Sequence, residues 1–98
     1  MSFKKFNIPD DIVSAARRGE RDALDHVLKA FEPLAYYTAL SFLGDPECAQ
    51  DVAQEALLKI ALNIDRFERR SKLSTWGYRI IRNAISDALR KRRRGLHE

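Results

Sequence analysis

Cysteine is nearly absent from this 98-residue chain, which holds Cys48 alone. A single thiol excludes an internal disulfide and argues against a cysteine-based metal site. No apolar run approaches the roughly 20 residues that a membrane-spanning helix requires, and the first residues lack the apolar core of a signal peptide. These absences favour a cytoplasmic protein that makes no contact with membranes.

Glycine and proline are also scarce, with four and three residues respectively, and they stand where helices are expected to begin and end. Pro9 opens a first predicted helix, and Gly19 is its expected C-terminal cap. A second helix is predicted over 21–43. Pro33 falls inside it and should cause a kink or a restart, because proline removes a backbone donor.

The turn at 44–46 is predicted to separate the second helix from a third, with the aspartate as the cap and the proline in the first turn. The third helix should run to about Asn63. Residues 65–73 are polar and are predicted to form a loop. Ser74 is the expected cap of a fourth helix that extends to about Arg92. No segment favours a β-strand, so the chain is predicted to be an all-α, compact bundle of about four helices with a basic fourth helix.

Apolar residues recur at three- and four-residue spacing in the last three helices, which is the period of a buried helix face. In the second helix this face comprises Leu24, Val27, Leu28, Phe31, Leu34, Ala35, Thr38 and Phe42. In the third it comprises Ala49, Val52, Ala53, Ala56, Leu57, Ile60 and Ile64. In the fourth it comprises Gly77, Ile80, Ile81, Ala84, Ile85 and Ala88.

The opposite side of the third helix mixes acidic, amide and apolar side chains. It comprises Asp51, Gln54, Glu55, Leu58 and Leu62. Single leucines are common on protein surfaces. Leucines beside carboxylates are also typical of a surface that docks on a basic protein partner. The pattern alone leaves both interpretations open.

Charge divides the chain into an acidic front and a basic back. Residues 1–65 carry seven basic and eleven acidic side chains, a net charge of −4, whereas residues 66–98 carry eleven basic and three acidic ones, a net charge of +8. This asymmetry suggests two different partners, of which the one facing the basic half is a polyanion.

The second face of the fourth helix is basic and polar. It comprises Arg79, Arg82, Asn83, Ser86 and Arg90, with Trp76 close to it in angle. Arginine contacts phosphates and guanine edges, and asparagine can pair with adenine. The charge imbalance favours nucleic acid over a merely solvated face. For Trp76, stacking on an unpaired base and packing as a partly buried residue remain equally open.

The loop before this helix adds a second basic element. Its polar and basic residues include Arg69, Arg70, Ser71 and Lys72. A basic loop beside a basic helix suits a single strand better than a duplex, because unpaired bases can enter a loop pocket.

Enzymatic residues are not evident. His26 is expected to be solvated, and no histidine is spaced with a nucleophile as a catalytic pair. Asp51 and Glu55 share a helix, but the ligands that a helical metal site needs from facing helices are missing. We therefore predict no catalytic residue, no metal and no cofactor.

Together these motifs resemble the bacterial RNA polymerase sigma factors. Residues 44–59, GDPECAQDVAQEALLK, resemble the second conserved helix of that family. Residues 74–83, STWGYRIIRN, followed by Asp87 and Arg90, resemble its promoter-reading helix. The opening pattern at 16–23 is similar as well. The short form, without a large insertion, resembles the region 2 domain of the extracytoplasmic-function group.

The resemblance implies a function for each surface. The third-helix face, with Asp51, Gln54 and Glu55, would dock on the clamp helices of the RNA polymerase β′ subunit. The basic loop and the fourth helix would recognise and help melt the minus-ten promoter element, capturing a base of the non-template single strand. The resemblance also implies a non-enzymatic transcription initiation factor, an anti-sigma factor as a further partner, and Phe67 as a core residue.

The resemblance has departures. Gly77 stands where the family usually has a bulky apolar residue. A complete factor of this kind also carries a helical domain that reads the minus-thirty-five element, and these 98 residues do not contain it. We expect an excised domain rather than a natural factor that lacks that half. Residues 1–94 would then form the region 2 domain, and 95–98 the start of a linker or the end left by excision. The alternative function is a non-catalytic helical interaction domain, such as an adaptor or an anti-sigma-binding surface, without promoter recognition.

Overall fold

The computed structural model describes residues 6–95, and all the regular secondary structure in this part of the chain is helical, without strands. Four α-helices follow one another: α1 (Asp10–Arg17), α2 (Arg21–Leu43), α3 (Pro46–Asn63) and α4 (Leu73–Gly95). A short 3-10 helix, Ile64–Arg66, continues α3. The predicted all-α bundle of four helices is confirmed. The last residues of the expected linker, 96–98, lie outside the described part.

Helix α2 is the centre of the bundle, since it packs against each of the other three α-helices, most extensively against α3. Its fully buried Val27 and Phe31 lie in one core with Ile60 of α3 and with Ile81 and Ile85 of α4. Burying side chains of this size stabilises a domain by about 1.5–3 kcal/mol each. The packing therefore fixes α3 and α4 side by side, each with its polar side turned to solvent.

The ends of α1 and α2 and the start of α3 follow the predicted capping chemistry. Gly19 adopts a φ of 85° and donates to the carbonyl of Ala16, while Glu20 N–H reaches back to Ala15, which completes a Schellman cap on α1. Gly44 ends α2 at a φ of 74°. The Asp45 carboxylate then accepts from the backbone N–H of Glu47 at 3.3 Å, as expected for an N-cap.

Three details differ from the sequence-based expectations. Helix α2 runs through Pro33 without a restart, because packing on both flanks of the helix outweighs the lost donor, and the expected kink stays a prediction. Helix α4 begins at Leu73, whose side chain is buried, so Ser74 lies inside the first turn and is not the cap. The helix also continues to Gly95, beyond Arg92, and the irregular loop is confined to 67–72.

The buried faces predicted for α3 and α4 are confirmed, but one residue of α2 is not. Every predicted core residue of α3 is buried, and those of α4 are buried or half-buried. Phe42 is 45% exposed. Near the end of α2 the core positions are occupied by the buried side chains of Ala39 and Leu43, so the ring of Phe42 lies at the surface.

Gly77 has a packing role that explains its departure from the family pattern. A Cβ at this position would lie 2.2 Å from two ring carbons of Phe31, a distance that no real contact allows. Phe31 has no solvent exposure and cannot move aside without disturbing the core. The missing side chain at Gly77 thus makes room for a large side chain on α2.

Candidate docking and nucleic-acid surfaces

The second face of α3 is fully presented to solvent. All five predicted members, Asp51, Gln54, Glu55, Leu58 and Leu62, are exposed. Leu58 and Leu62 are 59% and 68% exposed, and only four large hydrophobic side chains in the described residues are exposed to such a degree. Two of the four therefore lie on one helix, one turn apart, beside carboxylates. Exposed leucines grouped beside carboxylates in this way are typical of surfaces that bind another protein.

An aromatic groove borders this acid-and-leucine face on the side of α2. Tyr36 and Tyr37 form an edge-to-face pair with ring centroids 5.1 Å apart, and Tyr37 is 58% exposed. The groove encloses about 300 Å³ and is also lined by Gln54. Sequence reasoning did not identify these tyrosines, because their positions on α2 show no charge pattern that would mark them.

The polar face of α4 lies on the neighbouring side of the bundle. Arg79, Arg82, Asn83, Ser86 and Arg90 are all exposed, as predicted. Side chains on this face and next to it point in two directions, some toward α3 and some toward α2. Trp76 and Asn83 lie toward α3, where they line a groove of about 410 Å³ with Lys59, Asn63 and Arg66. Arg82 points toward α2, where its guanidinium lies over the ring of Phe42.

Trp76 is half-buried and rests on the core. Its ring lies 5.5 Å from that of Phe67, centroid to centroid, at a tilt of 47°. Phe67 is 4% exposed, so its expected place in the core is confirmed. The contact with Phe67 positions the indole ring against the core, and the rest of its surface lines the groove between α3 and α4. The partly buried packing expected for Trp76 is confirmed. Its stacking on an unpaired base stays a prediction, for which the surface that lines the groove is accessible.

The basic loop is tied to α1 through one arginine. Arg69 adopts a φ of 59°, a conformation that non-glycine residues rarely take. Its guanidinium donates to the carbonyl oxygen of Asp10 at 2.9 Å and to Oγ of Ser14 at 2.5 Å, and it lies 3.6 Å from the Asp10 carboxylate. These contacts compensate the backbone strain. Arg69 is therefore an anchor of the loop, although its side chain stays partly exposed.

The remaining loop residues are freer. Arg70 is exposed, and its one ion pair among residues 6–95 is with Glu68, at 3.2 Å. Ser71 and Lys72 are exposed and line a cleft of about 950 Å³ between the loop and the start of α1. An exposed ion pair of this kind contributes little to stability, so Arg70 can exchange its partner at small cost.

A small charge network joins α3 to α4. Lys59 lies 3.7 Å from Glu55 on its own helix and 3.8 Å from Asp87 on α4. Asp87 also accepts from Arg90. Part of the charge of Arg90 is therefore balanced within the bundle. Lys59 was not among the predicted site residues, because on the sequence it stands alone within an acidic helix.

The thiol and the capping carboxylate at the start of α3 influence each other. The hydrogen bond with Cys48, followed by that with the backbone of Glu47, lowers the pKa of Asp45. The same contact raises the pKa of the Cys48 thiol, with burial adding to the shift. The raised pKa disfavours the thiolate, which is the reactive form of Cys48. His26, expected to be solvated, is exposed.

Among residues 6–95 no group of histidine, cysteine and acidic side chains is arranged to hold a metal ion. Within the same residues, no helix is long and apolar enough to cross a membrane.

Comparison with known proteins identifies the family. Residues 27–95 match the family model described as sigma-70 region 2. The chain is 33% identical to the ECF RNA polymerase sigma factor SigW of Bacillus subtilis, over 83% of this chain and 43% of that protein. It is 38% identical to the ECF sigma factor EcfG of Rhodopseudomonas palustris, over 76% and 40% respectively. It is 32% identical to the ECF sigma factor SigC of Mycobacterium tuberculosis, over 83% and 45%.

This chain belongs to the sigma-70 region 2 family, and its resemblance is to the extracytoplasmic-function group. It spans less than half the length of these curated relatives. The match covers the whole of α3 and α4, the two helices that carry the candidate surfaces.

Proposed function

We propose that this domain is the part of a transcription initiation factor that docks on RNA polymerase and recognises promoter DNA. The polymerase carries out the chemistry, and the domain supplies binding alone. The observation that carries the proposal is the pair of unlike surfaces on adjacent helices. The acid-and-leucine face of α3 suits a protein partner, and the polar and basic face of α4 suits DNA.

The protein partner is the β′ subunit, through its clamp helices. Asp51, Gln54 and Glu55 would meet basic side chains of the partner, while Leu58 and Leu62 would bury against apolar ones. Burying the exposed leucines against a partner would favour binding by about 25 cal/mol for each Å² of apolar surface removed from water. The same surface would be the target of an anti-sigma factor, since a protein that covers it prevents polymerase binding.

Charge reversal tests this docking surface. Asp51→Lys should weaken binding of the chain to a β′ clamp-helix fragment by roughly tenfold, because an attractive contact becomes repulsive. Gln54→Ala should weaken it less. Asp25→Lys is the matched control, since Asp25 is exposed on α2 outside this face. Biolayer interferometry would measure the affinities. Equal affinities for wild type, Asp51→Lys and Asp25→Lys would remove the assignment.

The DNA partner is the minus-ten element, with the non-template strand taken up as a single strand. Arg79 and Asn83 lie one turn apart on the exposed side of α4, and Asn83 shares a groove with Trp76. Cations bind the backbone, an amide can pair with a base edge, and an aromatic ring can stack on an unpaired base. The loop at 67–72 lies directly before this helix, with Ser71 and Lys72 exposed.

Fluorescence anisotropy with a labelled single strand tests this surface. Arg79→Ala and Asn83→Ala should each reduce affinity, and Arg79→Ala should also lower the salt dependence by about 0.7 in the log–log slope, the value for one phosphate contact. Arg21→Ala removes an exposed charge at the start of α2 and serves as the control. If the log affinity of the wild type for the strand hardly changed with log salt concentration, the result would instead support a protein-interaction domain that does not bind DNA.

A further inference from the structure

The end of α2 meets α4 through two arginines. The guanidinium of Arg82 lies 4.5 Å above the centroid of the Phe42 ring, and its Nη1 donates to the hydroxyl of Tyr78 at 3.4 Å. One turn from the C-terminus of the described helix, Nη1 of Arg92 donates to the carbonyl oxygen of Leu43 at 3.3 Å. Neighbouring residues at the end of α2 thus hold two cations that are ten positions apart on α4.

Phe42 exposes 45% of its surface although it follows the apolar period of α2. An exposed phenyl ring is unfavourable in water unless its face is covered, and a planar guanidinium covers it well. The contact restricts the rotation of the long arginine side chain. The ring therefore determines where the charge of Arg82 is held.

Arg82 is oriented without being neutralised. Within residues 6–95 no carboxylate lies in ion-pairing distance of it, whereas Arg69, Arg70 and Arg90 each contact one. Its side chain is exposed and retains donors beyond the one directed at Tyr78. A charged group fixed in place before binding loses less entropy when it meets its ligand. These are the properties of a preformed anion contact.

We propose that Phe42 is a positioning residue for DNA binding: it holds Arg82 so that the guanidinium binds a backbone phosphate, which extends the DNA surface from α4 onto the end of α2. The positions of Arg82 and Arg92 are separated by about 15 Å along the helix axis, a span that covers several phosphates of one strand. A backbone phosphate fits better than an acidic protein, because Arg82 continues the basic arc of Arg79 and Arg93 on the same helix. This inference rests on the proposed function.

The test uses the 98-residue chain, a fluorescein-labelled single strand of mixed sequence and anisotropy titrations at several salt concentrations. Phe42→Leu should weaken binding about threefold with the salt slope unchanged, since the charge remains but is no longer held. Phe42→Tyr, which keeps the ring, should bind as the wild type does. Arg82→Gln should weaken binding and lower the slope by about 0.7. Arg82→Lys should lose affinity at an unchanged slope.

The decisive comparison is Phe42→Leu in the Arg82→Gln background, where it should have no further effect on affinity. An equal loss in both backgrounds would show that Phe42 does not act through Arg82 and would overturn the proposal. The proposal would also be overturned if the two single variants, Phe42→Leu and Arg82→Lys, each bound the strand with wild-type affinity. If Arg79→Ala and Asn83→Ala weaken binding in the same assay while these variants do not, only this inference fails. If none of them weakens binding, the proposed function fails.

Discussion

The contact between Gly77 and Phe31 offers the sharpest test of the packing. Gly77→Ala would bring a methyl group to the position that lies 2.2 Å from two ring carbons of Phe31. Elsewhere in a helix the same substitution stabilises by about 1 kcal/mol, because alanine has the higher helix propensity. Overpacking a core costs about 1–3 kcal/mol, and the ring is fully buried. Because the approach is so close and the ring cannot move aside, we expect the steric cost to lie at the upper end of that range, about 3 kcal/mol. After the gain in helix propensity, the net loss in the free energy of unfolding is about 2 kcal/mol.

Urea denaturation followed by circular dichroism would measure this loss, and thermal unfolding should show a midpoint lower by about 10 °C. Gly95→Ala is the matched control, since no atom lies within 4 Å of the position that its new methyl group would occupy, and it should cost nothing. Phe31→Leu removes the obstructing ring carbons. Combined with Gly77→Ala, it should destabilise by less than the sum of the two single changes, by about 1 kcal/mol.

The reasoning would be refuted if Gly77→Ala proved as stable as the wild type, or more stable. That result would mean that α4 moves away from α2 freely, and that the glycine is not required by the ring. Strict additivity of Gly77→Ala and Phe31→Leu would likewise show that the two positions do not share one space.

Further predictions concern the loop and the capping site. Arg69→Ala should speed amide hydrogen exchange in the loop at 67–72 relative to the wild type, because the loop loses its anchor on α1; unchanged exchange would contradict that anchoring. Folding lowers the pKa of Asp45, so its ionised form stabilises the fold above the usual pKa of about 3.9 and this contribution disappears as the pH falls below it. Asp45→Asn should therefore flatten the acid side of the stability curve measured by thermal unfolding. The same variant should speed alkylation of Cys48 by iodoacetamide at mildly alkaline pH, since the carboxylate raises the pKa of that thiol; an unchanged rate would speak against the contact.

Much of the architecture was predictable because it depends on local patterns. The three- and four-residue spacing identified which sides of α3 and α4 are buried, and the glycine, aspartate and proline at 44–46 marked the boundary between two helices. The exposure of Asp51, Leu58, Arg79 and Asn83 followed from the same helical period. A helix with one continuous apolar stripe has only one way to face a core.

The sequence was less informative where neighbouring residues of one helix compete for the same role. Phe42 follows the apolar period of α2, yet the smaller Ala39 and Leu43 fill the core near it. Ser74 has the chemistry of a cap and would place the first helical residue at Thr75, but the helix begins two residues earlier, at the buried Leu73.

The amino-acid order by itself determined the number of helices, their buried faces and the separation of acidic from basic surface, because each of these depends on residues within a few turns of one another. Only the tertiary structure decided that Arg82 lies over Phe42, that Arg69 holds the loop to α1, and that Gly77 makes room for Phe31. Each of these contacts joins residues that are far apart in the chain. Their distances depend on how closely the helices approach, which no local pattern encodes.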